Sequence, residues 1–366
     1  MSKVIRFGLI GCGKMMAAHA KNLNLVEEIE IVACCDLYID RAQVVADALG
    51  NGAKAYSDYR DMVDDVDAVL VATTHETHYE IGMFFASRSK HVLMEKPLCN
   101  SEEECIRLIE MCERKNVKLM CAYPVRYWTG VSKLKQLIDS GEYGKAFKMS
   151  VWTEQLSGTD AVDEYGLPKY LNTSKMGGGQ LFSHGCHYVD LMLWFMGEPV
   201  TGAHVGTNLG TPYMLREGTS AMIVKFKNGA IGYHGATWGA RGTRLDYDIQ
   251  IHTEKGMLEY EHQSGEIRLY TGALEHKPGE ILDRQKRTVI WTRDANRDKQ
   301  TQYEIRHFAR CILDDTMPLT NGRAALQSLR VIWELYNAEH NGYMAKLEGL
   351  GIPEEYQVDY FSCDED

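Results

Sequence analysis

Residues 4–25 read VIRFGLIGCGKMMAAHAKNLNL, and this stretch decides how the first part of the chain folds. The apolar run at 4–10 predicts a strand, Gly11-Cys12-Gly13 a tight turn, and residues 14–25 a helix. A second predicted strand, residues 29–36, ends in Asp36. Small residues let a pyrophosphate approach the helix amides, while an acid at this position accepts hydrogen bonds from a ribose diol and repels a 2′-phosphate. The stretch therefore predicts a dinucleotide site that prefers NAD to NADP.

Strand and helix patterns alternate as far as residue 122, and then the pattern changes. The repeated βα units predict a doubly wound parallel sheet, the Rossmann arrangement. Further on, apolar runs flank Asn228-Gly229, a strong hairpin signal. We therefore predict an α/β protein of two domains. Residues 1–125 form an NAD-binding Rossmann domain, and residues 126–366 form a substrate-binding α/β domain with an open, mainly antiparallel sheet. Helices of the second domain are predicted at 131–140, 180–196, 302–314 and 323–340.

The composition of the 366 residues is that of an ordinary globular protein with an acidic balance. A formal net charge of −11 and the lack of a basic stripe argue against nucleic acid or an anionic membrane as the main partner. No apolar run reaches the ~18 residues of a membrane span, and the first residues enter a strand directly. Ten cysteines without a Cys-x-x-Cys pair are typical of reduced thiols. These features predict a cytoplasmic protein.

A lysine stands at the end of a later strand, in the tripeptide Glu95-Lys96-Pro97. Proline fixes its own φ and holds the preceding residue extended. Lys96 is therefore expected on a constrained backbone at the C-terminal edge of the sheet, where cofactors and substrates bind. Thr73, Thr74 and His78 follow the neighbouring strand at the same edge. We expect the backbone and hydroxyl groups of this segment to line the dinucleotide, and a helix cap or a supporting position behind the cofactor contacts is the equal alternative for His78.

With these elements the chain resembles the Gfo/Idh/MocA family of sugar and cyclitol oxidoreductases. The matching positions are Gly11-Cys12-Gly13 with His19, Asp36, Ala72-Thr73-Thr74 with His78, Glu95-Lys96-Pro97, Tyr123 with Arg126, and Gly177-Gly178-Gly179 before a helix with Gly185, His187 and Asp190. The resemblance implies tightly held NAD(P) and homo-oligomers, dimers or tetramers, built through the second sheet. Motif and resemblance together assign the cofactor site to Gly11, Cys12, Gly13, Lys14, Met15, Asp36, Thr73, Thr74, His78, Glu95, Lys96 and Arg126.

A second polar cluster lies in residues 177–197, where three glycines lead into an apolar helix. On a regular helix Ser183, His187 and Asp190 fall on one face, and a buried polar stripe needs partners or a function. Oxidation of a secondary alcohol needs a base for the hydroxyl proton, and imidazole, with an unperturbed pKa near ~6.5, suits that task. We predict that His187 is the base and that Lys96 binds the reacting oxygen and helps to relay the proton. The resemblance supports both roles.

One candidate catalytic position departs from the family, because many relatives carry Asp where this chain has Ser183. Serine cannot supply the negative charge that raises an imidazole pKa. Two alternatives remain open. Either His184 faces the cleft and pairs with His187, or the dyad is Lys96 and His187 alone, which we favour. A metal ion held by His184 and His187 would lack a Glu or Cys companion at the usual spacing, so no metal is predicted.

The predicted substrate is a small sugar, glycoside or cyclitol. Its contacts are expected from Lys96, Arg126, Trp152, Tyr165, His184 and His187. The favoured function is an NAD-dependent dehydrogenase, with 3-keto-glycoside formation as a refinement. A redox-neutral glycosidase that oxidises C3 transiently and then eliminates is the second alternative. A non-catalytic NAD sensor is the third, and the presence of both Lys96 and His187 argues against it.

Overall fold

The first part of the chain forms a six-stranded parallel sheet with helices between the strands. The computed structural model describes residues 4–157, 176–272, 286–293 and 300–358. The elements are β1 (Ile5–Ile10), α1 (Lys14–Leu23), β2 (Ile29–Cys35), α2 (Ile39–Leu49), β3 (Lys54–Tyr56), β4 (Ala68–Val71), α3 (His78–Ser87), β5 (His91–Glu95), α4 (Glu102–Lys115) and β6 (Leu119–Ala122). The strand order is β3-β2-β1-β4-β5-β6, and each neighbouring pair is parallel. The predicted Rossmann sheet is confirmed.

The second sheet is larger and mainly antiparallel. Its elements are α5 (Thr129–Asp139), β7 (Ala146–Glu154), α6 (Cys186–Met196), β8 (Pro199–Thr207), β9 (Thr219–Phe226), β10 (Ile231–Thr237), β11 (Tyr247–Thr253), β12 (Gly256–Glu261), β13 (Glu266–Thr271), β14 (Lys286–Thr292), α7 (Thr301–Leu313), α8 (Gly322–Asn341) and β15 (Ala345–Lys346). The order is β14-β13-β12-β11-β7-β10-β9-β8-β15, in which β7 and β10 pair in parallel. The prediction of a mainly antiparallel sheet is confirmed.

Local sequence signals produce the expected local structure in both domains. The Asn228-Gly229 turn joins β9 and β10 as an antiparallel hairpin, with Gly229 at φ +91°. Ser101 Oγ accepts a hydrogen bond from Glu104 N at 3.3 Å and caps α4. The sequence did not predict five strands, β3, β8, β13, β14 and β15. Of these, β3 and β15 are short and β8 contains glycines, so their signals are weak.

The predicted helix at 180–196 is not regular. Leu181–Gly185 forms a π-helical turn, and only then does α6 begin. A π-helical turn has i→i+5 hydrogen bonds and is often found at functional sites. The wider turn shifts Ser183 relative to His187 and Asp190, which both lie in α6, so the prediction of a regular helix over 180–196 is wrong at its start.

Part of the C-terminal sequence completes the core of the first domain. Phe308 of α7 is fully buried in the cluster that contains Phe7 of β1, and the two rings meet edge to face at 6.3 Å. The chain then runs beside β6, where Cys121 N donates to the Thr320 carbonyl at 2.9 Å and Thr320 Oγ1 donates back to the Cys121 carbonyl at 2.7 Å. The boundary predicted after residue 125 divides the two sheets, but α7 packs with the first.

The long helix α8 lies between the two domains. It packs against α4 of the first domain and against α6 and β8 of the second. Arg323 forms a bidentate ion pair with Glu113, at 2.8 and 2.7 Å, and Arg330 donates to Glu102 at 2.7 Å.

Among the described helices, none is both long enough and apolar enough to cross a membrane.

Candidate active site

The turn between β1 and α1 leaves the first amides of the helix open. Gly11 has φ +86°, and a Cβ there would lie 2.6 Å from the Ala72 carbonyl oxygen, so glycine is required. Gly13 is the N-cap of α1 and provides no side-chain cap, and a Cβ at Gly13 would meet nothing within 4 Å. Backbone amides at an uncapped helix N-terminus bind phosphate well. Lys14 and Met15 are exposed beside them, whereas Met16 is fully buried in the core.

Asp36 is held beside this turn by two backbone amides. Its Oδ2 accepts a hydrogen bond from Cys12 N at 2.8 Å, and its Oδ1 accepts one from Tyr38 N at 3.0 Å. The carboxylate therefore lies at the turn between β1 and α1, and its contact with a ribose stays a prediction. Leu37 follows it and is 88% exposed, a placement that suits contact with a planar adenine ring. Sequence reasoning missed Leu37, because its exposure is visible only in the fold.

These residues fit a nicotinamide dinucleotide. The open amides and the space above Gly13 would hold the pyrophosphate, and Asp36 would accept hydrogen bonds from the adenosine ribose. Thr73 and Thr74 follow β4 at the same edge, with Thr73 partly buried and Thr74 exposed. Thr77 Oγ1 lies 2.7 Å from Thr73 Oγ1 and fixes that hydroxyl.

Replacing Asp36 by serine is expected to weaken NADH binding by about 10- to 100-fold, because the charged acceptor for the ribose diol is lost. The same change removes the repulsion of a 2′-phosphate, so the preference for NADH over NADPH should fall or reverse. Fluorescence titration with both cofactors measures the two dissociation constants. Asp40→Ser, at an exposed carboxylate in the first turn of α2, is the matched control and should leave both constants unchanged. An unchanged preference in Asp36→Ser would contradict the assignment.

His78 and Glu95 support the site from inside the protein instead of facing the cofactor. His78 is fully buried, with Nδ1 2.8 Å from the Pro97 carbonyl and Nε2 3.3 Å from the Thr73 carbonyl, and burial lowers its pKa. It joins the ends of β4 and β5. Glu95 Oε1 lies 2.7 Å from His19 Nε2, and Glu95 Oε2 accepts from Lys96 N at 3.1 Å. The prediction of direct cofactor contact by these two side chains is therefore replaced by a bracing role.

Lys96 reaches the second domain. Its Nζ donates to the Ser183 carbonyl at 2.9 Å, inside the π-helical turn, and its peptide bond to Pro97 is cis. The Ser183 side chain is fully buried, and its Oγ has no hydrogen-bond partner among the residues that the structure describes. Ser183 thus contributes its backbone carbonyl. The catalytic role predicted for Ser183 stays a prediction.

His187 lies just after the π-helical turn and is almost fully buried. Its ring lies edge-on to the rings of Tyr123, at 5.5 Å, and His184, at 5.6 Å. The hydroxyl of Tyr123 is 3.0 Å from Ser328 Oγ of α8. The structure therefore brings Lys96, from the first sheet, to the same helical segment as His187.

His184 is partly exposed and has an aromatic environment. Its ring is 5.9 Å from the Tyr247 ring and 6.3 Å from the Trp238 ring, and its Nδ1 is 3.4 Å from Gln180 Nε2. Both predicted alternatives for the catalytic pair remain, because His184 lies beside His187 while Lys96 contacts the same turn. Trp238 and Tyr247 were missed from the sequence, since they lie more than 50 residues away along the chain and adjoin the site only in the fold.

Arg126 does not face the cofactor or the substrate. It is 2% exposed, with Nε 2.6 Å from Asp190 Oδ2 and Nη2 2.7 Å from Asp190 Oδ1. Asp190 is fully buried, and burial raises its pKa although Arg126 opposes that shift. The predicted contact role of Arg126 is corrected to a buried ion pair that ties the end of β6 to α6.

Trp152 lies on the far side of the second sheet. Adjacent residues of a strand point to opposite faces. In the β7–β10 ladder Val151 pairs with His234, whose ring stacks on Tyr188 of α6 at 5.1 Å, so the α6 side is the face of Val151. Trp152 takes the other face, where it packs against Tyr233. The prediction that it contacts substrate in the same chain is wrong, and Tyr165 falls outside the described residues.

Buried neutral histidines make stability depend on pH. Burial lowers the pKa of His75 to about 3, of His234 to about 3 and of His307 to about 4. In the unfolded chain a histidine titrates near ~6.5, so only that state binds the proton between pH 6.5 and the folded pKa. The stabilisation is present above about pH 6.5 and is lost as the pH falls.

Replacing His234 by glutamine is expected to reduce the loss of stability on acidification by about 1.4 kcal/mol per pH unit between pH 6 and 4. Glutamine can keep the hydrogen bond to Thr153 Oγ1, which lies 3.0 Å from Nε2. Urea unfolding at several pH values measures the slope. His340→Gln, at an exposed position of α8, is the control and should match wild type. An equal slope in His234→Gln and wild type would show that His234 does not contribute.

The fold and the site together define a two-domain nicotinamide-dependent oxidoreductase. The Rossmann sheet carries both the dinucleotide turn and Lys96, and Lys96 contacts the helical segment of the second domain that leads to His187. The chain belongs to the Gfo/Idh/MocA family. Residues 5–123 match the model of the oxidoreductase family with NAD-binding Rossmann fold, and residues 131–259 match the model of the GFO/IDH/MocA C-terminal domain. The family resemblance and the NAD prediction are confirmed.

Relatives of this chain with assigned activities include inositol dehydrogenases. It is 26% identical over 333 residues to myo-inositol 2-dehydrogenase of Thermotoga maritima, covering 89% of this chain and 93% of the relative. It is 26% identical over 360 residues to scyllo-inositol 2-dehydrogenase (NAD(+)) of Bacillus subtilis, covering 95% and 98%. A solved levoglucosan dehydrogenase in complex with NADH superposes with a TM-score of 0.82 at 19% identity, covering 97% of this chain and 100% of the other. The structural likeness supports the fold.

Proposed function

We propose that the protein catalyses NAD-dependent oxidation of a secondary hydroxyl of a sugar, glycoside or cyclitol, with His187 as the base and Lys96 at the reacting oxygen. The observation that carries this proposal is the 2.9 Å bond from Lys96 Nζ to the Ser183 carbonyl, four residues before His187. It joins a residue at the cofactor edge of the Rossmann sheet to the helix of the second domain. The inositol specificity of the relatives and the levoglucosan specificity of the structural neighbour support the substrate class.

The chemistry divides between the two domains. When bound by the turn at Gly13 and by Asp36, NAD would supply the acceptor for the hydride that leaves the hydroxyl-bearing carbon. His187 takes the proton from the hydroxyl oxygen, and the loss of this proton together with the hydride from carbon converts the alcohol into a ketone. Lys96 has three N–H donors, so Nζ can donate to the substrate oxygen while it stays bonded to Ser183. His184, with Trp238 and Tyr247 beside it, would contact the substrate ring, since aromatic faces suit the apolar faces of sugars.

We also propose that the protein is a cytoplasmic homo-oligomer. The nine cysteines in the described ranges are all unpaired and buried, which supports a reducing compartment. The face of the second sheet opposite α6 exposes Val205, Ile223 and Ile231, at 69%, 45% and 42%. A second copy would present the same apolar surface across a twofold axis. Light scattering should give a multiple of 41.5 kDa, and Ile223→Lys should reduce that mass.

The test of the proposed reaction is a screen of inositols, free sugars and glycosides with NAD, in which NADH absorbance and product release are followed together. NADH formation with a ketone product and an intact glycosidic bond supports the dehydrogenase. Release of aglycone without net NADH would support the redox-neutral glycosidase instead. No change of the nicotinamide signal with any polyol would overturn both.

Lys96→Ala separates an enzyme from a non-catalytic NAD sensor. We expect loss of turnover with NADH binding retained, because Lys96 Nζ is directed to the second domain. Turnover at the wild-type rate in Lys96→Ala would remove Lys96 from the reaction.

A further inference from the structure

The segment that carries Ser183 begins with amides that lack partners within the helix. The first turn of any helix leaves such N–H groups, which need side chains, water or other backbone groups. Here two residues from elsewhere in the chain bond all of them from 179 to 182. Gln180 N donates to the Glu217 carbonyl at 2.8 Å, and Leu181 N donates to Glu217 Oε1 at 3.2 Å. Gly179 N and Phe182 N both donate to the hydroxyl of Tyr336, each at 3.2 Å.

Glu217 and Tyr336 also bind each other, and we call the two together the clamp. Tyr336 Oη donates to Glu217 Oε1 at 2.5 Å. Burial raises the pKa of the Tyr336 hydroxyl, so the tyrosine keeps its proton. Burial also raises the pKa of Glu217, and the bond to Tyr336 opposes that shift. The fit is close, because a Cβ on Gly179 would lie 2.1 Å from Glu217 Oε2. The third glycine of Gly177-Gly178-Gly179 is therefore required by the clamp.

The clamp acts on the next residue in the chain, which is the one that Lys96 contacts. Ser183 N donates to the Gly179 carbonyl at 2.9 Å, and the Ser183 carbonyl accepts from Lys96 Nζ at 2.9 Å. The position of that carbonyl thus follows from the positions of residues 179–182. Tyr336 lies on α8, which also holds Tyr123 beside His187 through Ser328. One helix therefore contacts the surroundings of both proposed proton-handling groups.

We propose that Glu217 and Tyr336 are positioning residues that set the π-helical turn so that Lys96 and His187 meet the same substrate oxygen. The inference rests on the proposed dehydrogenase reaction. If Glu217 and Tyr336 only capped the helix, their replacement would lower the stability of the fold and leave kcat unchanged. A positioning clamp predicts in addition a loss in kcat, since small misplacements of reacting groups cost about 100-fold.

The main test is Tyr336→Phe, which removes the oxygen and keeps the ring against His204, 5.2 Å away. We expect kcat to fall about 10- to 100-fold while the NADH dissociation constant is unchanged. Glu217→Ala should give a similar loss, and Glu217→Gln, which keeps an acceptor oxygen, should restore most of kcat. The double variant should lose no more than the larger single loss, because the two residues act as a unit.

Tyr59→Phe is the matched control, because Tyr59 Oη donates to Glu80 Oε1 at 2.7 Å in an exposed bond within the Rossmann domain. It should change thermal stability without changing kcat. If Tyr336→Phe behaves like this control, the positioning role is overturned.

A second measurement does not need turnover. Amine labelling of Lys96 in the cofactor-free protein, read by mass spectrometry, should be several-fold faster in Tyr336→Phe because the contact to Ser183 loosens. Equal labelling rates overturn the inference even if the proposed function holds. Faster labelling in a protein that oxidises no polyol would overturn the proposed function alone.

Discussion

Replacing His187 by glutamine is expected to lower kcat by about 10²- to 10⁴-fold, the usual contribution of a general base. Glutamine keeps a polar side chain beside Tyr123 and His184 but cannot take a proton at neutral pH. Binding of NADH should stay within about twofold of wild type, since the dinucleotide turn lies on the other sheet.

His184→Gln is the control that separates the two alternatives for the catalytic pair. A Lys96–His187 dyad predicts a kcat loss below about tenfold for this variant, whereas an imidazole pair predicts a loss close to that of His187→Gln. Steady-state rates and stopped-flow hydride transfer, measured with the substrate found in the screen, give the comparison. A His187→Gln enzyme that retains more than a tenth of the wild-type kcat would contradict the assignment of the base.

Replacing Asp190 by alanine is expected to lower the free energy of unfolding by about 3–5 kcal/mol, because the guanidinium of Arg126 is left buried and uncompensated. Both side chains are nearly inaccessible, at 2% and 0%, so water cannot replace the lost carboxylate. The ion pair connects the end of the Rossmann sheet to α6, so the variant should also lose activity. Urea unfolding followed by circular dichroism measures the difference.

Two further variants test whether the uncompensated charge of Arg126 causes the loss of stability in Asp190→Ala. Asp190→Leu combined with Arg126→Met removes both charges and should restore most of the stability, since a buried pair contributes little beyond an apolar replacement. Arg107→Ala breaks an exposed pair with Glu103 within α4 and should cost less than about 0.5 kcal/mol. If Asp190→Ala costs as little as Arg107→Ala, the buried pair does not stabilise the packing of the segment after β6 against α6.

The sequence predicted those parts of the molecule whose signals are local. The turn at Gly11-Cys12-Gly13, Asp36 at the end of β2 and the Asn228-Gly229 hairpin each depend on a few neighbouring residues. Their backbone conformations follow from glycine at positive φ and from hydrophobic periodicity. Lys96 was found in the same way, because a proline follows it at a strand end.

The parts that the sequence could not predict depend on residues far along the chain. The start of the π-helical turn is bonded by Glu217, 36 residues beyond Leu181, and by Tyr336, 154 residues beyond Phe182. Arg126 pairs with the carboxylate of Asp190, which lies 64 residues away along the chain. Because the sequence does not show that partner, it suggested that Arg126 contacts a ligand. Side chains alternate between the two faces of the sheet along β7, so the sequence places Trp152 on the face opposite to that of Val151. Only the packing of α6 shows which of the two faces this helix covers.

The place of α7 in the core of the first domain has a consequence for protein synthesis. A nascent chain that has reached the end of β6 holds all six strands of the Rossmann sheet but not Phe308, which covers Phe7. The ribosome must add roughly 200 more residues first, which takes about 10–40 s at usual elongation rates. During that interval an apolar surface of the sheet remains uncovered and open to chaperones. The nucleotide-binding domain is thus synthesised first, but its core is completed only after α7 has been added.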